Sequence, residues 1–388
     1  MKILPVSYQY NTRYKNCEKK QTATNVCAEN FYTNKSLKYP AFAKSSSNFN
    51  KRREYYSFLS SNPTPIAQGT DGIIYKRGNE AIKVAKTEQT SFEAEAQVLK
   101  KLPNNLPNAQ KFIDRFTYGG KDVLISSFVE GEHKDSLEIS DIGKLYDILL
   151  KHDKANIIHG DLNVGNIVFT PDNNISLIDY GAATIPDSTE VELYPNFVVN
   201  TNALKFENTG LNDSLKKLDE EEQLSFFKEY LAQKASFYNK HAQFIKEKHP
   251  EMTDAIEYEE NLAQVLSNPS DEVIEMELRR ITSLDFLEQA DTATNYENNP
   301  HKSIKLWNST VDSTKESIKF SHDILKGRIL SSEERKYFEN QRKIAQSFYT
   351  TLSEWRAGTF EWLYQIKEHY FVPQSEAEKR IKENWNNL

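Results

Sequence analysis

Three oxygen-bearing side chains, Asp161, Asn166 and Asp179, are spaced so that they could act together on a phosphate or a metal ion. Asn166 follows Asp161 by five residues, and β-branched runs on either side of the Pro-Asp-Asn-Asn turn at 171–174 predict a hairpin between Asn166 and Asp179. Because a hairpin folds its ends together, we expect the three side chains to meet. Magnesium prefers oxygen ligands and usually binds one or two carboxylates together with substrate phosphates. The spacing therefore predicts metal-assisted phosphate chemistry.

A glycine turn and a cationic side chain precede this stretch. The turn at 69–72 lies between two predicted strands, and the strand at 81–85 carries Lys83. Glycines let a backbone approach phosphates without interference from Cβ, although a hairpin of any function could contain two of them. The segment 92–102 then favours a helix with one apolar face. These elements could place an amine and a glycine turn above the acidic hairpin.

The stretch His159-Gly160-Asp161, with Asn166 and then Asp179-Tyr180-Gly181, resembles the catalytic loop and metal-binding turn of the protein-kinase-like superfamily. The family pattern is His-Arg-Asp, an asparagine five residues later, and Asp-Phe-Gly after the next strand. The His-Gly-Asp form is similar to atypical bacterial kinases, including secreted effector kinases and aminoglycoside phosphotransferases. The resemblance implies an α+β, bilobal fold with a small β-rich N-lobe, a helical C-lobe and here an extra C-terminal helical region.

The resemblance also implies ATP and magnesium as cofactors and assigns roles to individual residues. Those assigned to catalysis are Asp161, Lys83 and Asn166, and those assigned to magnesium are Asn166 and Asp179. Those assigned to nucleotide binding are Gly69, Thr70, Asp71, Gly72, Lys83, Glu95, Ser127 and Val129. Glu95 would pair with Lys83, with Glu93 as the alternative. Ser126 would flank the nucleotide pocket, and residues 127–129 would form the hinge between the lobes. The glycine turn matches the family only in part, because Ala67 replaces the first glycine.

Three departures from the family pattern concern the acceptor and its regulation. Gly160 replaces the arginine that pairs with a phosphorylated activation loop in many kinases, so we expect no switching by that contact. Asn163 stands where Ser/Thr kinases usually carry a phosphate-contacting lysine. No Ala-Pro-Glu triplet follows Gly181, and residues 182–200 are expected to form a short connection. Nucleotide handling is therefore better supported than the choice of acceptor.

Three functional hypotheses remain open from the sequence. The first is an atypical protein Ser/Thr kinase, with a secreted bacterial effector as one form. The second is a small-molecule kinase resembling the aminoglycoside phosphotransferases, whose acceptor pockets are acidic. The third is a pseudokinase scaffold, which the intact set of site residues disfavours. Kinase-like folds can also transfer AMP, so nucleotidyl transfer stays open. For the two kinase hypotheses, the expected acceptor is a hydroxyl group of a protein or of a small molecule.

Composition limits the other classes of function. The chain has 388 residues and a net charge of −7, which argues against a nucleic-acid-binding protein. No apolar run approaches the roughly 18 residues that a membrane span requires. Cys17 and Cys27 form no metal-binding pattern, and we expect a reduced, cytoplasmic environment. The sequence leaves the oligomeric state open.

We predict four regions. Residues 1–60 are expected to form a disordered leader, with an export signal for secretion into a host cell as the alternative. The N-lobe is expected at 61–130, the C-lobe at 131–250 and a helical extension at 251–388. Within the helical half, apolar periodicity predicts helices over 213–250, 251–267, 270–290, 301–327 and 332–370.

Overall fold

The structure, a computed structural model, describes residues 46–104, 106, 109–186, 197–295 and 299–368. An antiparallel sheet of five strands forms the N-terminal part, and helices form most of the C-terminal part. The predicted α+β class, with a β-rich N-lobe and a helical C-lobe, is therefore confirmed. Within the described ranges, no helix is both long enough and apolar enough to cross a membrane.

The N-lobe sheet is a set of antiparallel neighbours. Its strands are β1 (Ala67–Gln68), β2 (Gly72–Arg77), β3 (Glu80–Ala85), β4 (Phe112–Tyr118) and β5 (Lys121–Ser127), in the order β1-β2-β3-β5-β4. Gly78 turns the chain between β2 and β3 with a φ of +57°, which glycine adopts without a Cβ penalty. In the central strand, Lys83 lies opposite Ile74 and Leu124.

Successive side chains of the sheet point to opposite faces, and each face is covered by a helix. On one face, Ile82 and Ile125 pack with Tyr55 and Leu59 of α1 (Ser46–Ser60). On the other face, the alternate residues, such as Leu124, belong to the main core that includes α2 (Glu93–Lys101). The two-residue period thus separates the face of the sheet that belongs to the main core with α2 from the face that packs against α1.

The helix α1 corrects the predicted leader. Residues 46–60 are helical and pack on the sheet, where the Arg52 guanidinium donates two hydrogen bonds to Asp114, at 2.7 and 2.8 Å. The prediction of disorder through residue 60 is therefore wrong over 46–60, and the N-lobe includes this helix. The segment is polar and lacks an apolar period, so only its tertiary contacts reveal it. The expected disorder or export signal of residues 1–45 lies outside the described residues.

The C-lobe begins with α3 (Ile139–Lys154) and the predicted hairpin. Strand β6 (Ile167–Phe169) pairs with β7 (Ile175–Leu177), with Ile167 opposite Leu177. Asn166 immediately precedes β6, and Asp179 follows β7 by two residues. The hairpin therefore brings Asn166 and the segment that carries Asp179 together, as predicted.

The chain becomes helical earlier than the sequence predicts. Helix α4 (Phe197–Lys205) continues into a π-helical turn (Phe206–Leu211) and then into α5 (Asn212–Leu215) and α6 (Glu220–Lys248). The expectation of a connection through residue 200 is therefore wrong from Phe197 onward, and residues 187–196 lie outside the described part. Five of the nine residues of this helix are apolar, but its valine, threonine and asparagine residues have low helix propensity, so the segment carries little helix signal in the sequence.

The helical extension agrees closely with the predicted segments. Its helices are α7 (Thr253–Ser267), α8 (Asp271–Asn295), α9 (Pro300–Gly327) and α10 (Ser332–Glu368). Buried residues of α7, α8 and α10, such as Leu262, Ile274 and Phe338, belong to the same hydrophobic core as α2 and α3. The extension therefore packs directly onto the C-lobe.

Candidate active site

The loop at 159–166 owes its path to Gly160. This residue has a φ of +80°, and a Cβ at this position would collide with the carbonyl of Ala182. An arginine here would need both a left-handed backbone and space that Ala182 occupies. The departure from His-Arg-Asp is therefore a consequence of how closely the loop approaches the segment after Asp179.

Hydrogen bonds of two buried side chains, Asn202 and His159, fix the first residues of this loop. Asn202 of α4 accepts a hydrogen bond from the His159 N–H at 2.9 Å and donates one to the Ile157 carbonyl at 3.0 Å. The His159 Nε2 donates to the Ile178 carbonyl at 3.1 Å, while its Nδ1 accepts from the Asp161 N–H at 3.3 Å. Burial lowers the pKa of His159 to about 4, so the ring is neutral at physiological pH. Sequence patterns do not single out Asn202, because it lies outside any motif.

Two amide side chains orient the Asp161 carboxylate. Asn163 donates to one carboxylate oxygen at 2.9 Å, and Asn166 donates to the other at 2.8 Å and to the Asp161 carbonyl at 2.9 Å. Asn163, which replaces the usual lysine, thus fixes the carboxylate. Since Asn166 uses its Nδ2 for these bonds, its Oδ1 is the atom suited to a metal ion.

Lys83 joins the two lobes at the other side of the site. Its ammonium lies 2.8 Å from Glu95 Oε2 on α2 and 2.9 Å from Asp179 Oδ1. Glu93 instead pairs with Arg115 on the outer part of the N-lobe. Of the two glutamates weighed from the sequence, Glu95 is therefore the one that the structure brings to Lys83.

The charges of this group perturb each other. Burial lowers the pKa of the Lys83 ammonium, but Glu95 and Asp179 outweigh burial, so its pKa lies above the ordinary value. Burial likewise raises the pKa of Asp179, but Lys83 outweighs this and leaves the pKa below its ordinary value. For Glu95 burial dominates and raises the pKa. The Asp179 side chain is 48 % exposed, so a ligand can reach it.

The glycine turn closes over Lys83. The Gly69 N–H donates to the Gly72 carbonyl at 3.0 Å, which makes a tight turn of Thr70 and Asp71. A Cβ on Gly72 would meet the Lys83 side chain at 3.1 Å and the Val84 carbonyl at 3.2 Å. Glycine at this position therefore permits close packing over the lysine, whereas Gly69 faces open space.

The predicted hinge is only partly available to a nucleotide. The Ser127 N–H donates to the Lys111 carbonyl at 2.8 Å, and its hydroxyl oxygen accepts from the Lys111 N–H at 2.8 Å. The Ser126 hydroxyl accepts a hydrogen bond from Gln110 at 2.8 Å. Because the Ser127 N–H already donates to Lys111, it is not free to contact a nucleotide base. The predicted backbone contacts would therefore be made by Val129.

Comparisons with known proteins agree with a kinase-like relationship for part of the chain. No known family model matches the sequence. A segment of 77 residues is 34 % identical to the dual specificity protein kinase zakA of Dictyostelium discoideum, and it covers 20 % of this chain and 10 % of that protein. Because the match covers only a tenth of that relative, it supports a kinase-like relationship and no narrower class of protein. The geometry and the partial match together indicate a kinase-like protein.

Proposed function

We propose that this protein is an ATP- and magnesium-dependent phosphotransferase of the protein kinase type, with a Ser or Thr hydroxyl of a protein as acceptor. The observation that carries the proposal is the double contact of Lys83 with Glu95 and Asp179, at 2.8 and 2.9 Å, across the two lobes. One amine held by a buried glutamate and a half-exposed aspartate is suited to the phosphates of a nucleotide. The opposing pair, Asp161 and Asn166, is suited to the acceptor side.

The residues present fit a magnesium nucleotide. Lys83, Glu95 and Asp179 form a group, called the Lys83 group, in which one ammonium faces two carboxylates. The formal charge of the group is therefore negative, and its exposed member, Asp179, can accept a cation. Asn166 Oδ1 and the second oxygen of Asp179 are oxygen donors of the kind that magnesium prefers. Bound there, the ion would neutralise charge on the β- and γ-phosphates.

The chain's own groups then perform the transfer. Asp161, held by Asn163 and Asn166, accepts the proton of the acceptor hydroxyl. At the same time, the oxygen of that hydroxyl forms a bond to the γ-phosphorus. The bond between that phosphorus and the bridging oxygen breaks, and ADP leaves. Lys83, fixed by Glu95, binds the α- and β-phosphates, and the turn at 69–72 covers them with the backbone N–H groups that follow Gly69, whose own N–H donates within the turn. Positioning and electrostatics supply the catalysis, so no covalent nucleophile is required.

The test is incubation of the full chain with magnesium and either γ-labelled or α-labelled ATP, in the presence of a protein lysate and a metabolite pool. We expect γ-label on protein, and its loss in Asp161→Asn. Label on small molecules alone would replace the protein acceptor with a metabolite. Transfer of α-label would identify a nucleotidyl transferase. Bound ATP without any transfer, or full activity of Asp161→Asn, would overturn the proposal.

A further inference from the structure

The first turn of α2 is fixed by a guanidinium from the N-lobe sheet. Arg115 of β4 donates from Nε to both carboxylate oxygens of Asp122 on β5, at 3.1 and 2.9 Å. Its Nη2 donates to the Ser91 hydroxyl at 3.2 Å, and its Nη1 donates to the Glu93 carboxylate. The same guanidinium therefore contacts the residues on either side of Phe92, which immediately precedes the helix.

Asp122 also accepts a hydrogen bond from the backbone at the start of α2. Phe92, the residue that precedes the helix, has no side-chain acceptor with which to cap it. Its N–H donates to Asp122 Oδ2 at 2.7 Å, and its carbonyl accepts from the Ala96 N–H at 2.9 Å. Helices shorter than about 12 residues are marginal in isolation, and α2 has nine. The start of α2 therefore depends on its contacts with β4 and β5.

Glu95 lies on the other side of the same helical turn. Successive residues of an α-helix are rotated by about 100°, so the side chains of Glu93 and Glu95 point in directions about 200° apart. Arg115 pairs with Glu93, and Lys83 pairs with Glu95 at 2.8 Å. A rotation of α2 that moved Glu95 away from Lys83 would therefore also break the pair of Glu93 with Arg115.

The Phe92 ring connects the start of α2 to Lys83 and the glycine turn. The ring is buried, and the Lys83 ammonium lies 5.2 Å from its centre. A Cβ on Gly72 would lie 3.2 Å from the edge of the same ring. Because Asp122 fixes the backbone of Phe92, it also fixes the ring against Lys83. The position of Lys83 thus depends on Phe92 as well as on Glu95.

We propose that Arg115 and Asp122 are positioning residues of the nucleotide site, which hold α2 in the rotation at which Glu95 meets Lys83. This inference rests on the proposed function and adds the groups that keep the Lys83 contact in place. A guanidinium suits this role because its planar fork donates to several acceptors at fixed angles, and hydrogen bonds between charged groups are the stronger ones. All of these groups belong to the N-lobe, so the N-lobe itself sets the rotation of α2.

The test measures the affinity for magnesium-ATP of the full chain, of Arg115→Ala, of Glu95→Gln and of the double variant. Arg115→Ala should weaken binding by about tenfold, the effect of losing about one charged hydrogen bond. In the Glu95→Gln background, the same substitution should weaken binding by less than about threefold, because most of its effect depends on Glu95. A role in folding alone would lower the affinity by the same factor in both backgrounds.

Transfer of γ-label from ATP is the second measurement. For Arg115→Ala, kcat/KM for ATP should fall by about 10- to 100-fold, because small displacements of positioned groups reduce rates by this order. The KM for the acceptor should stay the same, since Arg115 contacts only the N-lobe side of the site.

Two further variants test the inference even if Arg115→Ala unfolds. Glu93→Ala removes a partner of Arg115 whose side chain is 50 % exposed, so the fold should tolerate it. Asp122→Asn keeps an acceptor oxygen for the Phe92 N–H but removes the negative charge that Arg115 binds. Each should weaken ATP binding by about threefold, and neither should do so in the Glu95→Gln background.

Arg77 offers a matched control. Its side chain is 30 % exposed, close to the 28 % of Arg115, and it also pairs with two carboxylates, those of Glu54 and Glu80. These partners belong to α1 and β3, so Arg77 connects the sheet to α1 instead of α2. Arg77→Ala should therefore keep full affinity for ATP. The thermal midpoint of each variant shows whether its fold is intact.

The outcomes are distinct. Equal weakening by Arg115→Ala in both backgrounds, no weakening in either, or an equal loss in Arg77→Ala would overturn the inference while the proposed function stands. Binding of ATP without transfer to any acceptor would remove the proposed function, and the four affinities would still decide whether Arg115 positions Glu95. A chain that binds no ATP would remove both.

Discussion

Within the described part of the chain, we compare two of the groups of charged side chains that connect different elements, because they differ in how exposed they are to solvent. The Lys83 group, formed by Lys83, Glu95 and Asp179, joins β3, α2 and the turn after β7, and Asp179 is 48 % exposed. The second, the Glu277 group, joins the π-helical turn, α6 and α8. It consists of Glu207, Lys234, Glu277 and Arg280, and the side chains of its first three members are at most 5 % exposed.

The difference lies in charge balance. In the Glu277 group two cations face two carboxylates, at distances of 2.7 to 3.0 Å, and the Tyr337 hydroxyl donates a further hydrogen bond to Glu277 at 2.8 Å. Burial raises the pKa of Glu277, but Arg280 and Lys234 outweigh burial and lower the pKa to about 2. The Lys83 group has one cation for two carboxylates. A balanced, closed group needs no ligand, whereas an unbalanced and open one can bind a cation.

The two groups therefore serve different purposes. The Glu277 group fixes Glu207 in the π-helical turn, and the next residue, Asn208, lines a cavity that also contacts Asp161. The Lys83 group keeps its charge available at the interface of the lobes. We expect substitutions in the first group to reduce stability and substitutions in the second to reduce catalysis.

The largest expected effect is on stability in the Glu277 group. Glu277→Gln leaves Lys234 and Arg280 with a single buried carboxylate, and removing one partner of a buried ion pair costs about 3–5 kcal/mol. The free energy of unfolding in urea should fall by that amount. Glu275→Gln, on the same helix but 45 % exposed, should cost less than about 1 kcal/mol. Equal losses in the two variants would refute the role given to the Glu277 group.

The next effect is on transfer in the Lys83 group. Asp179→Asn preserves shape but removes the exposed negative charge, and phosphate transfer should fall by about 10²–10³, equivalent to about 2.7–4 kcal/mol. Because the carboxylate is half-exposed, the urea midpoint should hardly change. Asp135→Asn, an exposed position outside the site, is the matched control and should be fully active. An active Asp179→Asn would remove the distinction between the two groups.

A third charged group allows a test by pH. His241 on α6 is fully buried, and its ring donates to Glu259 at 2.8 Å and to Asp153 at 2.9 Å. Burial lowers the pKa of His241, but the hydrogen bonds to Asp153 and Glu259 outweigh burial and raise the pKa to about 10. This stabilisation is complete below pH 6.5 and is lost as pH rises through 10.

Over the interval from pH 7.5 to 8.5, the free energy of unfolding should therefore fall by about 1.4 kcal/mol through His241 alone. Urea unfolding at both pH values measures the change. His241→Gln should lack this part of the slope, although it will be less stable throughout. A slope identical to that of the wild type would show that His241 does not bind its proton more tightly in the folded state.

The smallest effect concerns the residue after Asp179. The Tyr180 hydroxyl donates to His152 Nε2 at 3.0 Å, because the His152 Nδ1 donates to the Ile148 carbonyl and burial lowers the His152 pKa to about 4. Tyr180→Phe should cost about 1 kcal/mol of stability and leave transfer nearly intact. If Tyr180→Phe lost as much transfer activity as Asp179→Asn, this hydrogen bond would instead be needed to position the turn that carries Asp179.

The hairpin and the spacing of its site residues were easier to predict from the sequence than some of the helices around them. The runs around 171–174 and the spacing of Asp161, Asn166 and Asp179 predicted a hairpin that the structure contains. The helix-favouring segments of the extension were likewise predicted within a few residues, since apolar periodicity is a local property. Helix α1 was missed because its side chains are mostly polar, and α4 was missed because its valine, threonine and asparagine residues have low helix propensity. Contacts such as those of Arg52 and Asn202 stabilise these helices.

By itself, the sequence determined which residues could do chemistry and in which order they occur, because the fixed spacings of a loop and a hairpin are set by local backbone geometry. Only the tertiary structure decided that Glu95 rather than Glu93 meets Lys83, that Asn163 holds Asp161, and that Asn208 lines a cavity beside it. These contacts join residues on different elements. Their distances depend on how those elements pack, and spacing along one chain does not contain that information.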